Sequence, residues 1–367
     1  MASYKQLSKY NWQVVISLGY NSDGKKQRIK KQGFKNKKEA QIFVTETLTK
    51  RNKGYISPTN NNILFKDFIT KWFTEHKSLS IGINTRNNYL SRINTHIIPK
   101  LGNYKLTEIT TDIVQNFYNN LINTDNLSPS SAKKILETLN NCFKYAQKNK
   151  LIYTVPTDID KIKSPKSEIK FWTEYEIKFF LGEIKGTYLY TPVLISSLTG
   201  IRVGELCALR WCDIDLENGY MHINNQVIQD KISKQLLLSA ILKTSTSKRS
   251  ISIPNILIKH LKAIKSNIQP NDIDYVVVNR QGNISNPRNI SMEFTKKVAK
   301  YPQLTTISIH SLRHTHATLL IFNGENIKVV SERLGHKDIS VTLNTYTHVM
   351  EDMKKDTASL LDTLFNI

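Results

Sequence analysis

Cysteine is scarce: Cys142, Cys207 and Cys212 are the three in 367 residues. Their number is odd and no two share a metal-binding spacing, so reduced thiols are expected rather than a disulfide framework. Long apolar runs are missing too. None reaches the roughly 18–20 residues of a spanning helix, and the opening Met-Ala-Ser-Tyr-Lys lacks the apolar stretch of a signal peptide. A soluble, cytoplasmic chain with no membrane partner is expected. Acidic residues are in deficit, 30 against 52 Lys+Arg, and the net charge of +22 calls for a polyanionic partner, nucleic acid before an acidic membrane surface. A glycine-rich phosphate loop and a carboxylate cluster suited to magnesium are both missing as well.

The length predicts two or three domains at roughly 150 residues each. The basic excess is spread over all of them: residues 1–60 carry 13 basic and 3 acidic side chains, 61–160 carry 12 and 8, and 161–367 carry 27 and 19. Several modules therefore face the same polyanion.

Residues 1–56 predict a small β-sheet plus a helix. Trp12 to Tyr20 is β-rich, Asn21-Ser22-Asp23-Gly24 is a turn cluster, and Lys25 to Phe34 alternates basic with other residues, as a hairpin does. Lys26, Arg28 and Lys30 would line one face of a two- or three-stranded ribbon able to enter a DNA groove. Ala40, Phe43, Val44 and Leu48, spaced for a helix over 37–53, would back the sheet.

Residues 63–155 predict an all-α domain of four helices. Their apolar stripes are Phe65, Phe68, Ile69, Trp72 and Phe73; Tyr89, Leu90, Ile93 and Ile97; Ile113, Phe117, Tyr118 and Leu121; and Ile135, Leu136, Leu139, Phe143 and Tyr145. Pro99 and Gly102 are read as breaks, and Ser128-Pro129 as a cap followed by the first helical residue. Arg86, Arg92, Lys133 and Lys134 are the candidate DNA contacts. Residues 156–170, with Lys163 and Lys166 as further phosphate contacts, read as a basic interdomain linker.

Residues 171–367 predict a mainly helical α+β domain. Thr173-Glu174-Tyr175-Glu176 is a capping box, and strands are expected near Tyr220–Ile228, Leu236–Leu242 and Arg249–Ile253. Four stretches carry groups suited to phosphoryl transfer: Thr199-Gly200-Ile201-Arg202-Val203-Gly204-Glu205, Leu242-Lys243-Thr244, His310-Ser311-Leu312-Arg313-His314, and Leu334-Gly335-His336 followed by Tyr346. A phosphodiester under attack gains charge on its non-bridging oxygens, which guanidinium forks bind bidentately while staying charged. Arg202 and Arg313 fit that role. His310 and His336 can donate to the same oxygens, and His310 can also help to take a proton. A tyrosine hydroxyl titrates near about 10, so these cations and imidazoles would favour the Tyr346 phenolate. Glu205, three residues after Arg202, would orient a cation or a histidine.

Taken in order, these stretches complete an Arg…Lys…His-x-x-Arg…His…Tyr pattern, and the chain resembles the tyrosine recombinases, particularly phage and conjugative-transposon integrases. The resemblance implies that Tyr346 attacks the scissile phosphate, leaving a 3′-phosphotyrosyl link and a free 5′-hydroxyl, with Lys243 protonating the leaving oxygen; the bond energy would be retained, so that neither ATP nor a metal nor another cofactor is expected, in keeping with the missing phosphate loop and carboxylate cluster. It also implies an arm-binding domain at the N-terminus, a helical core-binding domain and a catalytic domain. The chain would be a monomer when free and a homotetramer on synapsed double-stranded DNA, bound at core and arm sites, with room for DNA-bending proteins or an excisionase. Integration or excision of a bacterial or phage mobile element follows. Leu360, Leu361, Leu364 and Phe365 form an apolar stripe that would dock on a neighbouring protomer or on their own domain.

Three other readings compete. A DNA-binding regulator without chemistry gives no reason for the ordered His, Arg and Tyr residues. A tyrosine-type topoisomerase shares the chemistry but has no use for a separate basic N-terminal domain. Zinc on His310, His314, His316, His336 and His348 lacks any cysteine pair or acidic ligand to join it.

Overall fold

The computed structural model describes residues 2–20, 26–52, 63–163, 169–230, 232–240 and 248–346. Lys166, Lys243, His348, the turn cluster at 21–24 and the apolar stripe at 360–365 lie outside the described residues, and of Lys26 only the backbone is described. The chain divides into two compact units, residues 1–165 and 166–367.

The first unit opens with three antiparallel strands in sequential order, β1 (Ala2–Ser8), β2 (Asn11–Tyr20) and β3 (Lys26–Phe34), and a helix α1 (Lys37–Asn52). Alternation along β2 places Val14 and Ile16 wholly inside, against Phe34, Ala40 and Val44. Ile16 pairs with Ile29, while Val15 pairs with Lys30 and Ser17 with Arg28. Arg28 and Lys30 are exposed, on the face opposite the apolar residues that α1 covers.

The helical part of this unit has its own core, from Phe65 to Ile152. Helix α2 (Phe65–Trp72) runs into a π-helical turn at Phe73–Lys77; α3 (Ile83–Arg92) runs through another at Ile93–Ile97 into α4 (Ile98–Leu101). Pro99 therefore does not break the chain, contrary to the sequence expectation. It falls at the second residue of α4, directly after the π-helical turn, whose change of hydrogen-bond register accommodates a residue without an N–H, and the helix ends instead at Gly102. Helices α5 (Thr111–Asn123) and α6 (Pro129–Lys148) follow, the latter capped by Ser128, whose Oγ accepts from the Ser131 N–H at 3.3 Å.

Of the basic residues expected on this domain's surface, Lys133, Lys134 and Lys163 are exposed. Arg86 and Arg92 are only half so. Arg92 turns inward, donating to the Lys134 carbonyl and to Thr138 Oγ1, each at 3.3 Å, beside the Tyr89 ring. Its planar fork satisfies a helix–helix contact rather than facing solvent.

The second unit begins at α7 (Glu174–Glu183). The capping box is formed: Thr173 Oγ1 accepts from the Glu176 N–H, and the Glu176 carboxylate accepts from the Thr173 N–H at 2.8 Å. Helices α8 (Tyr190–Thr199) and α9 (Val203–Ala208) lead to two small sheets. Strands β4 (Ile214–Asp215), β5 (Tyr220–Ile223) and β8 (Arg249–Ser252) form one, and β6 (Asn225–Gln229) and β7 (Leu236–Ala240) the other. The strand expected over Tyr220–Ile228 is thus two strands in different sheets. The break falls at Asn224, whose side chain donates to Asp213 Oδ1 at 3.0 Å. Helices α10 (Asn255–Ile268), α11 (Pro287–Val298), α12 (Ser311–Phe322) and α13 (Ile327–Leu334) follow, and residues 339–346 are helical. The main core gathers around Trp172, Phe180, Trp211 and Phe294. A smaller cluster of Ala317, Ile321, Val330 and Leu334 encloses Tyr346.

Candidate active site

The site is assembled from two chain reversals and the start of a helix. Helix α8 ends at Gly200, whose φ of 66° lies in the left-handed region; a Cβ there would stand 2.7 Å from the His316 imidazole. The chain can therefore turn tightly against α12 and deliver Arg202 to the start of α9. Helix α13 ends in the same way at Gly335, φ 68°, where a Cβ would meet the Arg249 guanidinium at 3.1 Å. His336 follows directly. Helix α12 carries His310 at its N-terminus, with Arg313 and His314 within its first turn.

Glu205 lies at the centre, 3% exposed. Its carboxylate accepts from Arg202 NH1 at 2.8 Å, from the Arg202 backbone N–H at 3.0 Å and from Arg249 NH2 at 2.8 Å. Burial alone would raise its pKa; the hydrogen bond and charge of Arg249, and then Arg202, instead hold it down at about 2. Glu205 thus holds two cations at once, Arg202 and Arg249. Of the two arginines, Arg202 keeps 40% of its side chain exposed, whereas that of Arg249 keeps 6%. Arg202 is the one free to take a ligand.

Arg313 is 4% exposed and donates from NH1 to the Gly200 carbonyl at 2.9 Å and from NH2 to the Leu334 carbonyl at 2.6 Å. Burial, together with the charges of Arg202 and Arg249, pushes its guanidinium down to about 9, still cationic at neutral pH. Arg249 Nε donates to the Arg333 carbonyl at 2.8 Å. Two arginines thus grip neighbouring carbonyls at the end of α13 and fix the turn that presents His336. Arg333 is held in turn by His316, whose Nε2 accepts from Arg333 Nε at 3.0 Å while its Nδ1 lies 2.9 Å from the Ser197 carbonyl. That pair of partners requires the neutral Nδ1–H tautomer, in accord with burial and Arg333 pushing its pKa to about 4.

His336 Nδ1 lies 2.8 Å from Thr342 Oγ1, which ties the turn to the helix that bears the tyrosine. Its pKa is pushed to about 4 by burial and then by Arg313, Arg202 and Arg249. His310 is lowered by desolvation and by Arg313 and Arg202, and its ring meets His314 edge-on with centroids 5.3 Å apart. Tyr346 is 1% exposed, and its hydroxyl lies 3.0 Å from His314 Nδ1.

Arg202, His310, Arg313, His336 and Tyr346 are therefore neighbours in the fold, while Lys243 lies outside the described residues. One expectation fails. The phenolate of Tyr346 is not favoured: burial raises its pKa to about 12, and the opposing influence of Arg313 does not offset this. Arg249, His314, His316 and Arg333 were not among the sequence candidates for this site. In the sequence Arg249 stands out only as the first residue of an expected strand, and His314 only as the end of the His310–His314 stretch and as one of five histidines weighed for zinc; no spacing rule could pair Glu205 with Arg249. Among the described residues, no group of His, Cys, Asp or Glu is arranged to hold a metal ion, and no helix is long and apolar enough to cross a membrane.

A buried phenol ringed by guanidinium forks and imidazoles, on a mainly helical α+β frame, defines an enzyme of the tyrosine recombinase class. The chain belongs to the phage integrase family, which matches residues 170–353, half of its length. Two further matches cover a phage-integrase N-terminal SAM-like domain at 64–122 and an arm DNA-binding domain at 2–50. Its activity is tyrosine-type site-specific recombination. Among curated relatives, a XerC-like tyrosine recombinase of Caldanaerobacter subterraneus subsp. tengcongensis is 28% identical over 393 aligned positions, covering 99% of this chain and 98% of the relative. The ICEBs1 integrase of Bacillus subtilis is 26% identical, covering 99% of this chain and 100% of the relative. In fold, the chain is similar to the Tn1549 transposon integrase in complex with a circular intermediate DNA, with a TM-score of 0.69 at 19% identity over 80% of this chain and all of that one. It is also similar to a lambda integrase dimer bound to a core site, with a TM-score of 0.61 at 19% identity over 93% of each chain.

Proposed function

We propose that Tyr346 is the nucleophile of a site-specific integrase that acts on the ends of a mobile element in double-stranded DNA. The observation that supports this reading is the clustering of Arg202, His310 and His336 around Arg313, whose charge also acts on the Tyr346 hydroxyl. Arg202, half open to solvent, takes the non-bridging oxygens of the scissile phosphate directly, and Arg313 supplies fixed positive charge behind it. His336 hydrogen-bonds the phosphate through Nε2–H, and in the neutral ring Nδ1 then accepts from the Thr342 hydroxyl. Glu205 positions both Arg202 and Arg249. Attack forms a 3′-phosphotyrosyl link and expels the 5′-oxygen, for which Lys243 serves as proton donor; the bond energy is retained for rejoining, with no metal and no ATP.

On this reading residues 1–56 bind arm sites through Arg28, Lys30 and Lys26, residues 63–155 bind core sites through Lys133 and Lys134, and 171–367 carry the chemistry. Lys163 and Lys166 follow the backbone between them. Strand exchange takes place in a homotetramer on synapsed DNA. The test is a nicked suicide duplex carrying the attachment-site sequence of the encoding element, incubated without metal or ATP. Wild-type protein forms a covalent adduct that Tyr346→Phe abolishes. Absence of an adduct, or its persistence in the phenylalanine variant, overturns the reading, and site-independent relaxation of plasmid would make the chain a topoisomerase instead.

A further inference from the structure

The hydrogen bond between Tyr346 and α12 falls on a residue outside the set of proposed catalytic groups. From the 3.0 Å contact between His314 Nδ1 and the Tyr346 hydroxyl, we infer that His314 is a further catalytic residue, the group that takes the nucleophile's proton. The inference rests on Tyr346 being the nucleophile. His310 and His314 are one helical turn apart on the same face of α12, with their rings edge to face at 5.3 Å; His314 stands between His310 and Tyr346, whose ring lies 5.9 Å from that of His314. His310 occupies the exposed end of this row, so the imidazole in reach of the phenol is His314.

The charged and titratable groups around His314 are His310, Arg313, His336 and Tyr346. Burial and the charges of its neighbours keep its imidazole neutral, with a free lone pair to accept the phenolic proton. An incoming phosphodiester adds negative charge beside those cations and so makes the imidazolium less costly at the moment of attack. In the step itself, the Tyr346 oxygen forms a bond to phosphorus as its proton passes to His314 Nδ1. The bond from phosphorus to the 5′-oxygen breaks, and that oxygen leaves with the electron pair and is protonated from the other side. Rejoining returns the His314 proton to the phenol.

The test uses the full chain, the suicide duplex and a matched duplex with sulfur in place of the bridging 5′-oxygen. A thiolate leaves without protonation, so the sulfur substrate rescues loss of the proton donor but not loss of the base. Asparagine at 314 can still hydrogen-bond the phenol but cannot take its proton. His314→Asn is expected to slow adduct formation about 100-fold on both substrates, with its melting temperature and DNA affinity as in wild type. His314→Ala should be slowed to a similar extent and partly restored by added imidazole. Adduct formation at or above the wild-type rate in either variant overturns the inference, as does rescue of His314→Asn by the sulfur substrate, which would move His314 to the leaving-group side. Adduct persisting in Tyr346→Phe would overturn the nucleophile assignment itself.

Discussion

Glu205 is the residue on which most of the site depends. A carboxylate taken out of water needs counter-charge, and here it has two, one of them almost wholly buried. Glu205→Gln would leave Arg249 without a partner charge in the interior, at a cost of about 3–5 kcal/mol, to be read from urea unfolding; a loss below about 1 kcal/mol would show that water reaches Arg249 after all. Because the folded-state pKa of Glu205 is depressed to about 2 from an ordinary 4.5, its contribution is complete above about pH 4.5 and is lost as pH falls toward 2. Arg202 and Glu205 were legible as a pair because they stand three positions apart, one helical turn. Arg249 was not, since a separation of 44 residues carries no local signal.

At the scale of elements, turns decide where the chemistry stands. Gly335→Ala forces an L side chain into left-handed backbone and against Arg249, so the end of α13 must shift and carry His336 with it. Strand cleavage should fall more than tenfold while the chain remains folded by circular dichroism; unchanged cleavage would mean that His336 does not need that turn. The Ser128 cap belongs to the other unit and contributes no group to the site: Ser128→Ala should cost about 1 kcal/mol of stability with cleavage unaltered. Caps of this kind were readable because their residues are adjacent in sequence. The split at Asn224 and the passage of the helix through Pro99 were not, since each depends on a partner or a π-helical turn that sets the local hydrogen-bond ladder.

Over the whole molecule, the net charge of +22 couples DNA binding to ionic strength. If Lys133 and Lys134 each neutralise one phosphate, replacing both with alanine lowers the slope of log Kd against log salt by about two, as anisotropy titrations over a salt series would reveal. An unchanged slope would place them off the DNA. Acid sensitivity is a second global property. His314, His316 and His336 are all pushed from an ordinary 6.5 to about 4, so the unfolded chain binds more protons between those values and stability falls as pH is lowered through that window. His316, 6% exposed, would contribute on the order of 2–3 kcal/mol of this loss. Urea midpoints measured from pH 7 to pH 4 should fall, with a shallower decline in His316→Asn; a flat profile would contradict the burial of these rings.

The order of Arg202, His310, Arg313, His336 and Tyr346 along the chain, the basic surplus and the helical stripes were settled by sequence alone, because residue type and short-range periodicity carry that information. What surrounds Tyr346 was decided only by tertiary structure. Guanidinium and imidazole groups in sequence suggested an acidified phenol. The folded chain instead encloses the ring with Ala317, Ile321, Val330 and Leu334, and desolvation outweighs the nearby charge. Which histidine meets the hydroxyl was settled in the same way, since that contact depends on how helix 339–346 lies across α12, a relation between segments that no local pattern encodes.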